Sequence, residues 1–352
     1  MPTVLNQLQQ ALPQGAAALL ITEISRRYVT GFASSLGYIF VTKGQVTALF
    51  DSRYIEAATA GVAPGITVQL LKSLKEQGSR LLQGAAALYT EVGITVAQLN
   101  ALGGLFNLPV KGAAWVDSLI AKARAQKTAW ELEQIVKAQR FAEQALEQVL
   151  GFIKPGVTER QIAAELEYRM KLCGSDDMSF ETIAVTGKKT SLPHGVPGDE
   201  TVQKGDFITM DFGATCNGYH SDMTRTVAVG APTAKMRKVY ETVLAANLAA
   251  EEKAAAGVAC SEVDAAARLV IEKAGYGSCF GHSTGHGVGL EIHEAPTVGP
   301  KNSEPLCPGQ VITAEPGIYL PGEFGVRIED MLFITKNGAK NLTNTKKSLI
   351  IL

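Results

Sequence analysis

The feature that most restricts this chain is a strand pattern that carries carboxylates where buried apolar residues would be expected. Phe207-Ile208-Thr209-Met210-Asp211-Phe212-Gly213 reads as a strand, and after Asn217-Gly218 the run Tyr219 to Thr226 continues it. Asn-Gly between two such runs is the strongest short hairpin signal. If these two residues form the turn, position 213 pairs with 222, and Asp211 and Asp222 become diagonal neighbours on one face. Two carboxylates held that close repel, and burying them unpaired costs several kcal/mol. The pair therefore requires a cation, and a metal ion supplies it.

The C-terminal part repeats the device. Ile312 to Tyr319 and Gly325 to Asp330 flank a turn through Pro321-Gly322. A loop of three or five residues puts Glu315 directly opposite Glu329, whereas four would send them to opposite faces. Arg327, on the same strand face as Glu329, can offer a bidentate fork to a carboxylate or to a substrate. Thr224 is placed for a similar role beside Asp222, and Asp330 points the other way, toward a structural role. Between the hairpins lies the segment Gly281 to Pro296, which holds three of the five histidines. The glycines around His286 would let backbone and substrate approach closely. His220 reads as a satisfied core residue, and His282 stands open between core and site.

At 352 residues the chain is long enough for two domains. The first 123 residues alternate short strands (Ala16 to Thr22, Tyr38 to Thr42, Gln45 to Phe50) with helices, as in a small α/β domain. From Trp130 the apolar spacing becomes that of an amphipathic helix, so residues 124–352 form the second domain. Within it, Thr158-Glu159 with Gln161 and Ser261-Glu262 with Asp264 look like matching capping boxes, with Gly174 and Gly275 at the far ends of the two helices. A duplicated half around a central site accounts for both. Lys plus Arg, 33, nearly balance Asp plus Glu, 34. No basic run marks a nucleic-acid or membrane partner. The five scattered cysteines form no disulfide framework or thiolate site, and the absence of a leader or spanning segment gives a cytoplasmic expectation.

Together these strings resemble the creatinase/prolidase/methionine-aminopeptidase family, closest to Xaa-Pro dipeptidase (prolidase) and aminopeptidase P. The resemblance implies an α+β, pita-bread catalytic domain with pseudo-two-fold halves after a creatinase-type N-terminal domain, for which Tyr28 to Phe32 and Asp51 to Tyr54 supply further matches. It implies five metal ligands in order: Asp211, Asp222, His286, Glu315 and Glu329. It also implies that His194 and His293 handle substrate and that Glu315 shuttles a proton. The activity implied is hydrolysis of the Xaa-Pro bond of dipeptides or short peptides by a metal-bridging hydroxide, in a homodimer. Four carboxylates with one imidazole suit two hard or borderline ions, manganese first, with cobalt or zinc possible. An Xaa-Pro bond is a tertiary amide without an N–H, so it needs a site built for a fixed ring. Thr297 stands where some dipeptidase-type prolidases carry a basic residue, which leaves dipeptides and longer peptides both open. Two other readings are a metal-independent creatinase-like amidinohydrolase and a non-catalytic peptide-binding protein of the same fold.

Overall fold

Apolar runs without alternation mark strands covered on both faces, and Ala16–Leu20 is such a run, buried throughout. Ala18 and Leu20 enter one apolar core while Ala17 and Leu19 enter another, the period of two that a strand imposes. In the computed structural model, which describes residues 3–352, this strand lies inside a mixed six-stranded sheet. It pairs antiparallel with Tyr38–Val41 and parallel with Ala87–Thr90. The contacts divide the chain into two compact units, Met1–Arg124 and Ala125–Leu352.

The second unit carries the carboxylate motifs. Thr128 and Glu131 close a capping box on the helix Ala129–Leu150, whose buried stripe includes Ile135, Ala142, Leu146 and Val149. It packs on Glu159–Cys173, and further along Ala234–Lys253 packs on Cys260–Lys273. Each helix pair covers its own core, and every large apolar side chain taken wholly out of water there, such as Phe212 or Val243, contributes roughly 1.5–3 kcal/mol.

The duplication extends to individual backbone bonds. Ahead of the helix Glu159–Cys173, Gly156 N–H donates to Val202 O (2.9 Å) and Val202 N–H to Val157 O (2.9 Å); ahead of Cys260–Lys273, Gly257 donates to Leu306 and Leu306 to Val258, both at 2.8 Å. The caps differ. Thr158 and Gln161 form the expected capping box, but Ser261 is not the N-cap: the helix starts at Cys260, behind Ala259, which makes no side-chain cap bond. Asp264 is drawn inward instead, where the Arg268 guanidinium and the Thr284 N–H and hydroxyl donate to it. The helix N–H groups of Cys260 and Ser261 are satisfied by the carbonyls of Glu304 and Asn302.

Both hairpins have registers that bring carboxylates together. Asn217 and Gly218, with φ of 47° and 72°, make the two-residue turn. Cys216 pairs with Tyr219 and Asp211 with Thr224, the register in which 213 faces 222. In the second hairpin Gly317 pairs with Arg327 and Leu320 with Phe324, leaving the three-residue loop 321–323. Ala314 pairs with Asp330 in the same register, so Glu315 and Glu329 face each other at a break in the ladder.

Candidate metal centre

Asp211 lies within the strand Phe207–Phe212, paired on both sides, whereas the other three acidic residues sit where a strand ladder is interrupted. Asp222 precedes the strand Met223–Ala228, and Glu315 and Glu329 flank the gap between two strand pairs. His286 is on the short strand Gly285–Gly287, hemmed in by backbone: a Cβ on Gly285 would run into Thr313 O, and one on Gly287 into Ala295 O. Glycine at both places is what lets the imidazole enter the cluster.

His286 Nε2 lies 3.5 Å from Asp222 Oδ2 and 3.5 Å from Glu315 Oε1. Asp222, His286 and Glu329 each offer a ligand atom, all within 4.8 Å of one another. Asp211 Oδ2 accepts from Arg327 Nη2 at 2.5 Å. Asp211 Oδ1 and Glu329 Oε1 are buried without a hydrogen-bond partner. Buried carboxylate oxygens left without a donor fit divalent cations, as does an all-oxygen set completed by one imidazole.

Electrostatics point the same way. Burial pushes Asp222 up to about 6, with the Asp211 charge adding to it, and burial lifts Glu315 to about 7. Glu329 is driven well above the carboxylate range by burial and then by Asp222 and Glu315. Burial opposes protonation of His286, yet its bond to Asp222 prevails and raises it to about 9. All four groups hold protons more tightly than in an unfolded chain. The stability this brings is complete at about pH 4 and is lost as pH climbs through about 6, 7 and 9. The chelator-stripped protein is therefore expected to melt roughly 5–10 °C lower at pH 8.5 than at pH 5.5. Added divalent metal should shrink that gap by taking the place of the protons. Calorimetry checks it, and a stripped protein more stable at the higher pH would contradict it.

Arg327 does not present a two-pronged fork to one partner. Its Nη2 donates to Asp211, its Nε to Thr224 Oγ1 (3.0 Å), and its Nη1 to Tyr319 OH (2.8 Å) and Pro193 O (3.2 Å). With every arm engaged, it acts as a brace. Thr224 donates to Glu329 Oε2 at 2.7 Å rather than to Asp222, because it lies directly across from Asp211 and beside the second hairpin.

His194 and His293 both line the cavity of about 1320 Å³ that holds these groups. The His293 ring stands edge-on to His286, centroids 4.2 Å apart, and its pKa is lowered by partial burial and by the His286 charge. The sequence reading did not assign a role to Tyr319 and left His282 open. His282 Nδ1 lies 2.8 Å from Ser283 O and Nε2 3.1 Å from Tyr319 OH. Burial lowers His282 to about 4, so it is a neutral link behind Arg327. The available signal was parity, since Tyr319 shares a strand face with Arg327. His220 bonds Ser179 Oγ at 2.9 Å.

Residues 133–336 match the model of metallopeptidase family M24, and residues 5–141 that of the creatinase/prolidase N-terminal domain. The chain belongs to metallopeptidase family M24. An Xaa-Pro dipeptidase of Pyrococcus horikoshii is 39% identical over 335 residues, 95% of this chain and 94% of its own. Among solved structures, an Xaa-Pro dipeptidase from Bacillus anthracis superposes with a TM-score of 0.95 at 37% identity, covering 99% of both chains. An X-Pro aminopeptidase from Thermotoga maritima does so at 0.91 and 32%, covering 98% of this chain and all of that one. The fold of this M24 peptidase is thus the pita-bread catalytic fold behind a creatinase-type domain, and the enzyme is a metallopeptidase. Among the described residues no helix is long and apolar enough to cross a membrane, and the five cysteines are free.

Proposed function

We propose that this M24 peptidase hydrolyses the bond between an N-terminal residue and a following proline in dipeptides or short peptides. Two divalent ions, manganese first, would be held by Asp211, Asp222, His286, Glu315 and Glu329. The reading is carried by Asp222, His286 and Glu329 offering ligand atoms within 4.8 Å of one another, with Glu315 3.5 Å from the same imidazole and buried oxygens of Asp211 and Glu329 left unpartnered. The names of its relatives, which act on Xaa-Pro bonds, support the substrate.

When bound, the metal pair supplies an acidified water and a Lewis acid for the scissile carbonyl. The chain's own groups do the rest. Glu315 takes a proton from the attacking water and passes it on. His293, with His194, donates to the developing oxyanion or the leaving nitrogen. Arg327 fixes Asp211, and Thr224 fixes Glu329, so ligand geometry survives turnover. An intact carboxylate set disfavours the creatinase-like reading. The cytoplasm and a homodimer complete the proposal, the latter tested by sedimentation at micromolar concentration.

The deciding experiment strips the protein with chelator, measures metal by mass spectrometry, and assays Xaa-Pro dipeptides before and after manganese is returned. Activity is expected to vanish and come back with about two ions per chain. Full activity in the stripped sample would refute the proposal. His293→Ala should lower kcat about 100-fold with metal content unchanged; unaltered kinetics would remove His293 from the mechanism.

A further inference from the structure

A second cavity, of about 820 Å³, adjoins the one that holds the metal-ligand candidates, and the two share Gly281, His282, Ser283, Thr297 and Asn302 in their walls. Its size is that of a small-ligand pocket, roughly 300–1,000 Å³. The cavities differ in charge. In the larger one Asp211, Asp222, Glu315 and Glu329 face the two cations proposed for them, Arg327 stands among them and Glu294 is paired with Lys127, which leaves Glu304. Among the described residues lining the smaller there is no carboxylate, and Arg268 and Lys301 supply two cations.

These cations are not equivalent. Arg268 grips the buried Asp264 with Nε (2.8 Å) and Nη2 (2.9 Å), while Nη1 donates to Phe280 O and Nη2 also to His282 O. It stacks 4.3 Å over the Phe280 ring, so it is a neutralised, rigid wall. Lys301 is exposed, on a loop held in shape by Asn302, whose Nδ2 donates to Thr297 O at 2.7 Å and whose Oδ1 accepts from Glu304 N–H at 3.0 Å. At the junction Thr297 presents only a hydroxyl and a methyl, so a carboxylate leaving the larger cavity meets its first uncommitted positive charge at Lys301. A peptide's terminal carboxylate is therefore drawn to the cationic cavity.

We infer that the smaller cavity is the downstream subsite of this peptidase: it takes the residue after proline in a tripeptide, and Lys301 holds that residue's terminal carboxylate. The inference rests on the Xaa-Pro reading above and adds to it a preference for peptides longer than two residues.

The test uses the manganese-loaded full chain with an Xaa-Pro dipeptide, an Xaa-Pro-Xaa tripeptide and the same tripeptide amidated at its C-terminus. Wild type is expected to favour the tripeptide acid over its amide about fivefold in kcat/KM, through KM. Lys301→Glu should erase or invert that preference, Lys301→Arg should keep it, and both should leave dipeptide kcat/KM within about twofold of wild type. Calorimetric binding of a tripeptide acid whose scissile carbonyl is reduced to a methylene should weaken in Lys301→Glu by the same factor that its kcat/KM loses. Equal wild-type rates on acid and amide would overturn the inference while leaving the Xaa-Pro reading intact. So would a Lys301→Glu variant that loses dipeptide and tripeptide activity alike. If no Xaa-Pro peptide is cleaved at all, the underlying reading fails and the subsite falls with it.

Discussion

Glu315→Gln is expected to lower kcat by at least about 1,000-fold while the chain folds normally. The amide keeps the size of the side chain and can still accept from Thr313 Oγ1, which donates to Glu315 Oε1 at 3.4 Å. It cannot take up a proton, and a missing general base costs about 10²–10⁴ in rate. Loss of a charged ligand weakens metal binding on top of that. Stability should move the other way: Glu315 is partly buried, and desolvation raises it to about 7, so at pH 8 the metal-free wild type bears a poorly solvated charge that glutamine removes. The metal-free variant should therefore melt at or above the wild-type temperature at pH 8. Turnover at the wild-type level would take Glu315 out of the chemistry, and a collapsed variant would make its role structural.

The second large effect concerns the ion pair behind the site. Arg225 and Asp330 are almost wholly buried, with Arg225 Nη2 donating to Asp330 Oδ1 at 2.7 Å and Lys347 Nζ 2.9 Å from the other oxygen. Arg225 Nη1 also donates to Glu329 O at 2.6 Å, and its remaining arms tie down the carbonyls of Thr345 and Lys346. Although burial works against ionisation of Asp330, Arg225 and Lys347 hold its pKa below the usual range. Asp330→Ala leaves a buried guanidinium uncompensated, which costs about 3–5 kcal/mol. For a domain of this size that is a fall of about 10 °C in Tm, or a matching drop in the denaturant midpoint. A change under 2 °C would show that the pair is dispensable. An Arg225→Met, Asp330→Leu double variant should recover much of the loss, since apolar replacement of a whole buried pair is often neutral.

How far the site could be read in advance depended on what each inference needed. The Asp211/Asp222 relation required only a two-residue turn and the alternation of a strand, and Asn217-Gly218 adopts the two positive φ values that such a turn demands. The Glu315/Glu329 relation required a loop length the residues left undecided, and the three-residue loop 321–323 resolves it. The role given to Ser261 failed because a cap signature records local propensity, whereas Asp264 found stronger partners in Arg268 and Thr284. Tyr319 went unassigned because its one signal, the strand face shared with Arg327, depends on the loop length that the residues left undecided.

What the residues determine by themselves is periodic and local: which segments are strands, where they turn, and therefore which carboxylates share a face. Tertiary structure decides the partners. Thr224 reaches Glu329 and Arg327 reaches Asp211 across more than 100 residues of chain, and no short-range spacing encodes such a meeting. It follows from how the two duplicated halves pack their cores, a collective outcome of many weak contacts, and that packing sets the orientation of every side chain around the metal centre.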